Sequence, residues 1–213
     1  MASSVPLQTW AVLPVKPFDD AKSRLRDVLD PEQRRDLARG LMLQVLDVLL
    51  SCEAVDRVLV ITADAEAQTI ASERGAVTLT EAGTGLNAAL DQARRFATNG
   101  GATRLIVVAG DLPLLAAADI EALISTGEDA AVVIAPDRKR EGTNALMLTP
   151  PNAIDFRYGE SSFQRHLALA DAAGYQSLEV KLSGFAFDID LPEDWHDLQA
   201  AGPSLQNAIR SGA

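Results

Sequence analysis

Two aspartates separated by a single residue, Asp188 and Asp190, are the side chains in this sequence that most strongly indicate chemistry. On a strand, side chains two residues apart project to the same face, roughly 7 Å from each other. Two carboxylates held that close repel each other unless a divalent cation lies between them. The pair therefore predicts a metal site. The alternative is an exposed strand end, with Asp190 capping the helix that begins at Pro192.

A third aspartate, Asp111, follows the apolar run Arg104–Ala109, which predicts a central strand of a parallel sheet. Open α/β sheets bind ligands beyond the carboxyl ends of such strands. An aspartate there also commonly caps a turn, so Asp111 becomes informative only in the company of the other two carboxylates. Three hard oxygen ligands suit Mg²⁺, which shares its shell with phosphate and water. The sequence thus predicts magnesium held by Asp111, Asp188 and Asp190.

A cationic loop follows the first predicted strand, Trp10–Val15, and leads into a predicted helix. The loop contains Lys16, Lys22, Ser23 and Arg24. In α/β folds, a loop between a strand and a helix is where nucleotide phosphates bind. This one lacks the glycines of a dinucleotide fingerprint and the Gly-Lys-Ser/Thr of a P-loop. Phosphate binding here would use side-chain cations as well as backbone N–H groups, which favours nucleotidyltransferases over dehydrogenases and ATPases.

A glycine-rich turn opens the next candidate binding element. Gly83, Thr84 and Gly85 precede a predicted helix that begins with Leu86 and Asn87. The first amides of that helix and the Asn87 side chain could bind part of a base, a ribose or a phosphate. A plain turn before a helix is the common alternative.

Two further segments place hydroxyl groups beside glycine. They are residues 141–144, which include Thr143, and residues 159–162, which run from Gly159 to Ser162 and open a predicted helix. A helix start with free hydroxyls suits a small phosphate. Capping of the helix by Ser161 or Ser162 explains the serines equally well.

Histidine and cysteine chemistry is not indicated. The two histidines, His166 and His196, form no triad pattern with a serine elbow. His166 is expected on the solvated face of its helix, beside Arg165. Cys52, the single cysteine, ends an apolar helix and is expected to be a small buried residue that forms no disulfide within the chain.

Strand and helix patterns alternate along almost the whole chain, which predicts an α/β fold with a mostly parallel sheet covered on both faces. Residues 144–148 predict an edge or antiparallel strand, and residues 185–190 a last strand that carries the aspartate pair. The predicted strands are residues 10–15, 57–62, 76–80, 104–109, 130–135, 144–148, 175–181 and 185–190. The predicted helices are residues 31–52, 65–74, 86–98, 117–125, 162–173 and one from 192.

Length and charge limit the remaining possibilities. The chain has 213 residues and a net charge of −11. We expect a single domain over residues 1–213 with an ordered core of about residues 9–201, and frayed ends at 1–7 and 202–213. The negative charge argues against nucleic-acid or anionic-membrane partners. Since neither a signal peptide nor a membrane span is recognisable, we expect a cytoplasmic protein whose oligomeric state is open, a homodimer included.

The motifs, taken in order, resemble the CofC/FbiD family of guanylyltransferases, which act in deazaflavin coenzyme F(420) biosynthesis. The resemblance spans the chain from about Trp10 to the final helix. It rests on segments Pro14–Lys16, Ala21–Leu25, Gly85–Asn87, Gly110–Leu114, Gly142–Leu146 and Phe187–Pro192.

This resemblance implies a GT-A-like nucleotidyltransferase that transfers GMP from GTP to phosphoenolpyruvate, 2-phospho-L-lactate or 3-phospho-D-glycerate. It implies that three residues contact the phosphorylated acid, namely Thr143, Gly159 and Ser162. It implies nucleotide contacts at Lys16, Lys22, Ser23, Arg24, Gly85, Leu86 and Asn87. Catalytic roles fall to Lys16, Lys22, Arg24 and Asp111, and metal binding to Asp111, Asp188 and Asp190.

Two other functions stay open. One is a nucleotidyltransferase of the same fold that acts on a sugar phosphate or on molybdopterin. The other is a GTP-binding module without catalysis, although such a module would gain little from three clustered acids. A dehydrogenase is disfavoured because the glycine fingerprint is missing.

Overall fold

The computed structural model describes residues 7–83, 85–127 and 130–200. Thr84 and most of the two ends that were expected to be frayed lie outside these described residues. The strands are β1 (Thr9–Val15), β2 (Arg57–Thr62), β3 (Val77–Thr80), β4 (Arg104–Val108), β5 (Val132–Pro136), β6 (Thr143–Leu148) and β7 (Ser177–Glu179). The helices are α1 (Pro31–Ser51), α2 (Ala65–Glu73), α3 (Leu86–Asn99), α4 (Ala117–Thr126), α5 (Ser162–Ala172), α6 (Ser183–Ala186) and α7 (Pro192–Ala200).

The described strands form one sheet in the order β3-β2-β1-β4-β6-β5-β7. Strand β6 is antiparallel to both of its neighbours, whereas the remaining strands run in one direction. The prediction of an α/β fold with a mostly parallel sheet is therefore confirmed. Of the two positions predicted for residues 144–148, an edge or an antiparallel one, the structure has the antiparallel one, with β6 fully buried between β4 and β5.

Helices cover both faces of the sheet. Helices α1, α2, α4 and α6 contribute to the apolar cluster on one face, and α3 and α5 contribute to the cluster on the other. The long helix α1 begins at a capping box. The Asp30 side chain accepts a hydrogen bond from the Gln33 backbone N–H, and the Gln33 side chain accepts one from the Asp30 backbone N–H. Cys52 is buried at the end of this helix, as expected. No helix within the described ranges is long and apolar enough to cross a membrane.

The strand predicted over residues 185–190 is wrong. Residues 183–186 form helix α6, and residues 187–190 are extended without a strand partner. Their backbone crosses the end of the sheet instead of joining it: the Ile189 N–H donates to the Asp111 carbonyl, and the Ala186 carbonyl accepts from the Arg138 N–H. The alternating Phe-Ala-Phe pattern resembles a strand, but burial does not alternate along it: Phe185 and Ile189 are buried, whereas the residues between them are of intermediate exposure.

The loop after β1 leads into a helix, as the sequence predicts. It folds into two short 3₁₀ turns, Phe18–Asp20 and Ser23–Leu25, before α1 begins. Lys22 joins the two turns in the left-handed conformation, with φ of 53°. A residue in that conformation interrupts a right-handed helix, so the segment cannot form one continuous helix.

Candidate active site

The ammonium group of Lys22 lies between two of the predicted metal-binding aspartates. Its Nζ is 2.6 Å from Asp111 Oδ2 and 3.2 Å from Asp190 Oδ1. The Lys22 side chain is 7% exposed, so solvent screens these ion pairs only weakly on the lysine side. The fold thus joins three predicted residues from distant parts of the sequence.

Loops at the carboxyl edge of the sheet position these three side chains. Lys22 stands in the loop after β1, Asp111 follows β4, and the Ile189–Asp111 backbone hydrogen bond of 3.3 Å ties the segment of Asp190 to the same loop. A left-handed lysine is uncommon. Such backbone geometry is retained where the surrounding structure holds it, and functional sites are where it clusters.

Asp188 is held by an amide instead of by Lys22. The Asn144 Nδ2 donates to Asp188 Oδ1 at 3.3 Å and to the Phe185 carbonyl at 2.8 Å. Because Asn144 lies on β6, the sheet itself supports one side of Asp188. The three aspartates therefore share one region, with two of them on the lysine and the third beside the sheet.

The charges in this region shift the pKa values of its groups in different directions. Burial, together with the nearby charges of Asp111 and Asp190, raises the pKa of Asp188 to about 6. Burial acts the same way on Asp190, but the ion pair with Lys22 outweighs it, and the pKa of Asp190 is lowered. Burial alone would lower the pKa of Lys22, yet its two aspartates raise it. At neutral pH the lysine is charged, and Asp188 is the carboxylate that most lacks a cation.

A magnesium ion fits the donor chemistry of this region. Among residues 7–83, 85–127 and 130–200, no three acidic, histidine or cysteine side chains are already gathered as a metal cage. The Lys22 ammonium occupies the space between Asp111 and Asp190 instead. Three carboxylates nevertheless outnumber this one buried ammonium, and a surplus of hard oxygen donors is what Mg²⁺ binds. Magnesium at Asp111, Asp188 and Asp190 stays a prediction.

A cavity of about 430 Å³ opens beside Lys22. This volume is within the range of small-molecule sites, roughly 300–1,000 Å³. Its polar lining includes Lys16, Lys22, Glu81, Asp111 and Asp190. Its apolar lining includes Val15, Phe18, Met42, Ile61, Leu86 and Ala89. Charged and apolar side chains thus both face the cavity, which suits a ligand that carries charged groups as well as a ring.

The remaining cations of the first loop reach the same carboxylate. The Arg24 Nη1 is 3.7 Å from Asp190 Oδ2, although its side chain is largely exposed. Lys16 is exposed at the cavity wall, and its charge also lowers the pKa of Asp190. Ser23 is exposed in the second 3₁₀ turn. The loop thus presents three cations around Asp190, two of them accessible to a ligand.

The turn before α3 meets the cavity with its backbone. Gly85 and Leu86 line the cavity, and Gly85 has φ of 92°, which favours glycine. Asn87 does not point its amide at the cavity contents: Nδ2 donates to the Tyr158 carbonyl at 3.1 Å, and Oδ1 accepts from the Tyr158 N–H at 2.8 Å. Asn87 therefore joins α3 to the segment that precedes α5.

The predicted hydroxyl groups come together at the start of α5. The Ser162 Oγ lies 3.4 Å from the Thr143 Oγ1, and both residues are buried. The Ser162 N–H donates to the carbonyl of Gly159, whose φ is 120°. The prediction of a serine cap is wrong: the Ser161 side chain makes no capping hydrogen bond, and Ser162 is already inside the helix. Ser161 thus occupies the N-cap position without a side-chain cap, and Ser162 has no capping role.

His166 is fully buried, so its predicted placement on a solvated face is wrong. Its Nδ1 lies 3.0 Å from the Thr143 Oγ1, and its Nε2 accepts from the Arg157 N–H at 3.0 Å. Helix α5 turns this face toward the sheet because Phe163 and Ala170 bury their side chains there. Periodicity alone could not show this, since Arg165 precedes the histidine and both are polar.

Known proteins share the fold and the sequence of this chain. A protein from Desulfovibrio desulfuricans, assigned as a nucleotide-diphospho-sugar transferase, superposes with a TM-score of 0.78 at 15% identity, over 97% of this chain and 99% of that one. The model of the family described as "Guanylyl transferase CofC like" matches residues 9–206. The chain belongs to this CofC-like family. The family resemblance that the motifs indicated is confirmed.

Several curated relatives cover nearly the whole CofC-like chain. A phosphoenolpyruvate guanylyltransferase from Sphaerobacter thermophilus is 39% identical over 97% of this chain and 100% of its own length. One from Rubrobacter xylanophilus is 42% identical over 92% of this chain and 96% of its own length. A 2-phospho-L-lactate guanylyltransferase from Methanothermobacter thermautotrophicus is 35% identical over 88% of this chain and 82% of its own length.

Sequence reasoning missed three contributors to this CofC-like site. Asn144 was noted only as part of a motif, yet it supports Asp188. Glu81 follows β3 and lines the cavity. Its position directly after a predicted strand was the sequence signal that could have identified it. Asp194 gave a weaker signal, an acid in the first turn of the final helix.

Asp194, and not Asp190, caps the final helix. Its Oδ2 accepts from the N–H groups of Asp190 at 3.0 Å and Leu191 at 2.7 Å, and its Oδ1 accepts from Arg138. The Asp190 carboxylate is thereby left for Lys22 and Arg24. The structure therefore excludes the alternative in which Asp190 is only a cap.

We expect Asp194→Asn to destabilise the protein by about 1–3 kcal/mol, since hydrogen bonds to a buried charge are worth about that much. Asp197→Asn is the matched control, because Asp197 pairs with the same arginine, Arg138, at 2.9 Å but is 58% exposed, against 8% for Asp194. Asp197→Asn should lower the free energy of unfolding by less than about 1 kcal/mol, because its ion pair is exposed. Urea denaturation of the two variants measures the difference, and equal free energies of unfolding would contradict the capping role.

Proposed function

We propose that this chain transfers GMP from GTP to the phosphate of a small phosphorylated three-carbon acid and releases pyrophosphate, in deazaflavin coenzyme biosynthesis in the cytoplasm. The observation that carries the proposal is the Lys22 ammonium, held between Asp111 and Asp190 at the wall of the cavity. The names of the curated relatives support guanylyl transfer, and phosphoenolpyruvate is the acceptor that most of them name.

The reaction needs charge neutralisation more than proton transfer. The acceptor phosphate is ionised at neutral pH, so its oxygen can attack the α-phosphorus of GTP without a general base. A new bond forms from that oxygen to the α-phosphorus, and the bond from the α-phosphorus to the bridging oxygen of the β-phosphate breaks. The electron pair leaves with pyrophosphate, and no proton has to move.

The cations of the first loop would reduce the repulsion between the two anionic substrates and the carboxylates. Lys22 neutralises part of the charge of Asp111 and Asp190, while Lys16 and Arg24 are exposed enough to meet phosphate oxygens. Mg²⁺ bound by Asp111, Asp188 and Asp190 would supply further stabilisation of the charge on the phosphates. In-line attack then depends on these fixed charges and on the positioning of both substrates.

Glu81 is the residue that we expect to favour guanine. It lines the same cavity as Ile61 and Leu86, and guanine presents two donors, N1–H and the 2-amino group, that a carboxylate accepts. We expect Glu81→Gln to lower kcat/KM for GTP about 10–100-fold, the value of a charged hydrogen bond. The loss should be smaller for ITP, which lacks the 2-amino group.

The control for this prediction is Glu73→Gln, which removes an exposed glutamate from the end of α2. Kinetics with GTP and ITP should be unchanged in this variant. An unaltered GTP-to-ITP ratio in Glu81→Gln would contradict the guanine assignment.

The proposed activity is tested by incubating the protein with each nucleoside triphosphate and a panel of acceptors. The panel holds phosphoenolpyruvate, 2-phospho-L-lactate, 3-phospho-D-glycerate, a sugar 1-phosphate and molybdopterin, with pyrophosphate release and product mass as readouts. We expect GTP-dependent release with a three-carbon acid. Release only with the sugar phosphate or the pterin would favour the related transferases. GTP binding without release for any acceptor would favour the module without catalysis.

A further inference from the structure

The buried His166 is hydrogen-bonded on both sides of its ring. The Nε2 atom lies 3.0 Å from the backbone nitrogen of Arg157, and the Nδ1 atom lies 3.0 Å from the Thr143 Oγ1. The ring also packs edge-on against Tyr158, with centroids 4.9 Å apart. The side chain is 0% exposed, so no water competes for either nitrogen.

The contact with Arg157 determines which ring nitrogen carries the proton. A backbone N–H can only donate, so Nε2 must offer its lone pair. In a neutral ring the proton is then on Nδ1, and Nδ1–H donates to the Thr143 Oγ1. Burial, aided by the charge of Arg157, lowers the pKa of His166 to about 4, so the ring is neutral at physiological pH.

This tautomer leaves the Thr143 hydroxyl with one remaining role. Its oxygen accepts from His166, and it also accepts from the Ser162 Oγ at 3.4 Å. A hydroxyl has two acceptor sites and one donor. With both acceptor sites in use, the hydroxyl can only donate its own proton to a further group.

Thr143 lies at the end of the sheet that carries the aspartates. The antiparallel register that pairs Val108 with Ala145 places Thr143 opposite Gly110, one residue from Asp111. Ser162 begins α5, a helix of 11 residues whose dipole favours negative charge near its first turn, although the N–H groups of Ser162 and Phe163 already donate to the Gly159 and Glu141 carbonyls. Thr143 thus begins β6 next to Asn144, which holds Asp188, and the Thr143 hydroxyl faces the start of α5.

We propose that His166 is a positioning residue: it donates to Thr143 and so turns the Thr143 hydroxyl into an obligate donor to the phosphate of the acceptor acid. This inference rests on the proposed function, because it concerns binding of the acceptor. His166 itself does not touch the substrate and acts neither as a base nor as a cation. A substitution of His166 should therefore change the KM for the acceptor and leave the KM for GTP unchanged.

Two substitutions of His166 separate its two hydrogen bonds. In His166→Asn, the amide nitrogen takes the place of Nδ1, so the hydrogen bond to the Thr143 hydroxyl is kept and the hydrogen bond from the Arg157 N–H is lost. In His166→Gln, the amide oxygen reaches the place of Nε2, so the hydrogen bond from the Arg157 N–H is kept and the hydrogen bond to the Thr143 hydroxyl is lost. We expect the Gln variant to raise the KM for the acceptor about tenfold or more with the KM for GTP unchanged. The Asn variant should recover most of the acceptor affinity, even at a lower Tm.

Further measurements exclude a merely structural role. The control His196→Gln changes an exposed histidine of α7 and should leave both KM values as they are. Thr143→Val should raise the acceptor KM as His166→Gln does, and the double variant should add little to either single one. Nitrogen NMR of the whole protein reports the tautomer directly, since only two histidines are present. We expect a buried ring protonated at Nδ1.

The possible results distinguish a failure of the proposed function from a failure of the role inferred for His166. If the wild type releases no pyrophosphate with any acid, the proposed function falls and this inference with it. If the wild type is active, any of three results overturns the inference alone: an Nε2–H tautomer, an unchanged acceptor KM in His166→Gln, or parallel losses of GTP and acceptor affinity in that variant. Selective loss in the Gln variant with recovery in the Asn variant supports it.

Discussion

Lys22→Met is expected to lower kcat/KM for GMP transfer by about 10²–10³-fold, the usual effect of removing one preorganised charge from a phosphoryl-transfer or oxyanion site. Methionine keeps the unbranched shape of the side chain but leaves Asp111 and Asp190 without the ammonium that lies 2.6 and 3.2 Å from them. An incoming triphosphate would then meet one more uncompensated negative charge in this region.

The same substitution should also reduce stability. Breaking a buried ion pair by removing one partner typically costs about 3–5 kcal/mol. Since the Asp190 side chain is 45% exposed and retains Arg24, we expect a smaller loss, about 1–3 kcal/mol. Loss of Lys22 should raise the pKa of Asp190, because this lysine is the main group that lowers it.

Steady-state kinetics at saturating Mg²⁺ and thermal unfolding of Lys22→Met test both expectations. Lys139→Met, at an exposed lysine after β5, is the matched control and should behave as the wild type. Turnover of the Lys22 variant within about threefold of the wild type would remove Lys22 from the mechanism.

Asp188→Asn should abolish most activity and yet stabilise the protein at alkaline pH. The pKa of Asp188 in the folded protein is about 6, above its ordinary value of 3.8. As the pH rises from about 4 to 6, the unfolded chain loses this proton first, so ionisation of Asp188 disfavours the folded state. Asparagine resembles the neutral acid and can still accept from Asn144.

We therefore expect a gain of about 1–2 kcal/mol at pH 8 that disappears at pH 4, where the wild-type carboxyl is also neutral. Turnover should fall by about 10²–10³-fold with the fold intact if this carboxylate holds the cation that stabilises the phosphates. Asp171→Asn, at an exposed position in α5, is the control. Unaltered turnover in Asp188→Asn would contradict the metal assignment.

Magnesium supplies a readout that does not depend on catalysis. If Asp111, Asp188 and Asp190 hold the ion, added Mg²⁺ should raise the Tm of the wild type at pH 7.5, because a ligand that binds the folded state stabilises it. The effect should shrink below pH 6, where Asp188 takes up a proton, and should vanish in Asp188→Asn. The same shift in wild type and variant would show that the ion binds elsewhere.

Much of the fold could be predicted from the sequence. The apolar run of β4 and the Asp30-Pro31 start of α1 are local patterns, and the structure has both elements within one or two residues of the prediction. Residues 185–190 were predicted wrongly because an alternation of residue types does not show whether the backbone pairs with a strand. For a related reason the sequence left an edge position and an antiparallel position open for β6, since no local pattern tells which strands lie beside it.

The candidate site divides in the same way. Asp111 and the first-loop cations stand out in the sequence because they follow predicted strands. Asp188 and Asp190 stand out because the two acids are spaced two residues apart in a predicted strand. Whether the Asn87 amide faces the cavity or the Tyr158 backbone depends on a contact across 71 positions. Similarly, Asp194 is an ordinary first-turn acid until the backbone of Asp190 is seen to donate to it.

The sequence by itself determined the α/β class, the family and the supply of aspartates, cations and hydroxyls, because these follow from residue types and from periodicities between near neighbours. Only the tertiary structure decided that Lys22 lies between Asp111 and Asp190, which are 89 and 168 positions away from it in the sequence. The tertiary structure likewise decided that His166 is buried against Thr143. Charge and hydrogen-bond energies depend on distance in space and on desolvation, and chain folding alone sets both.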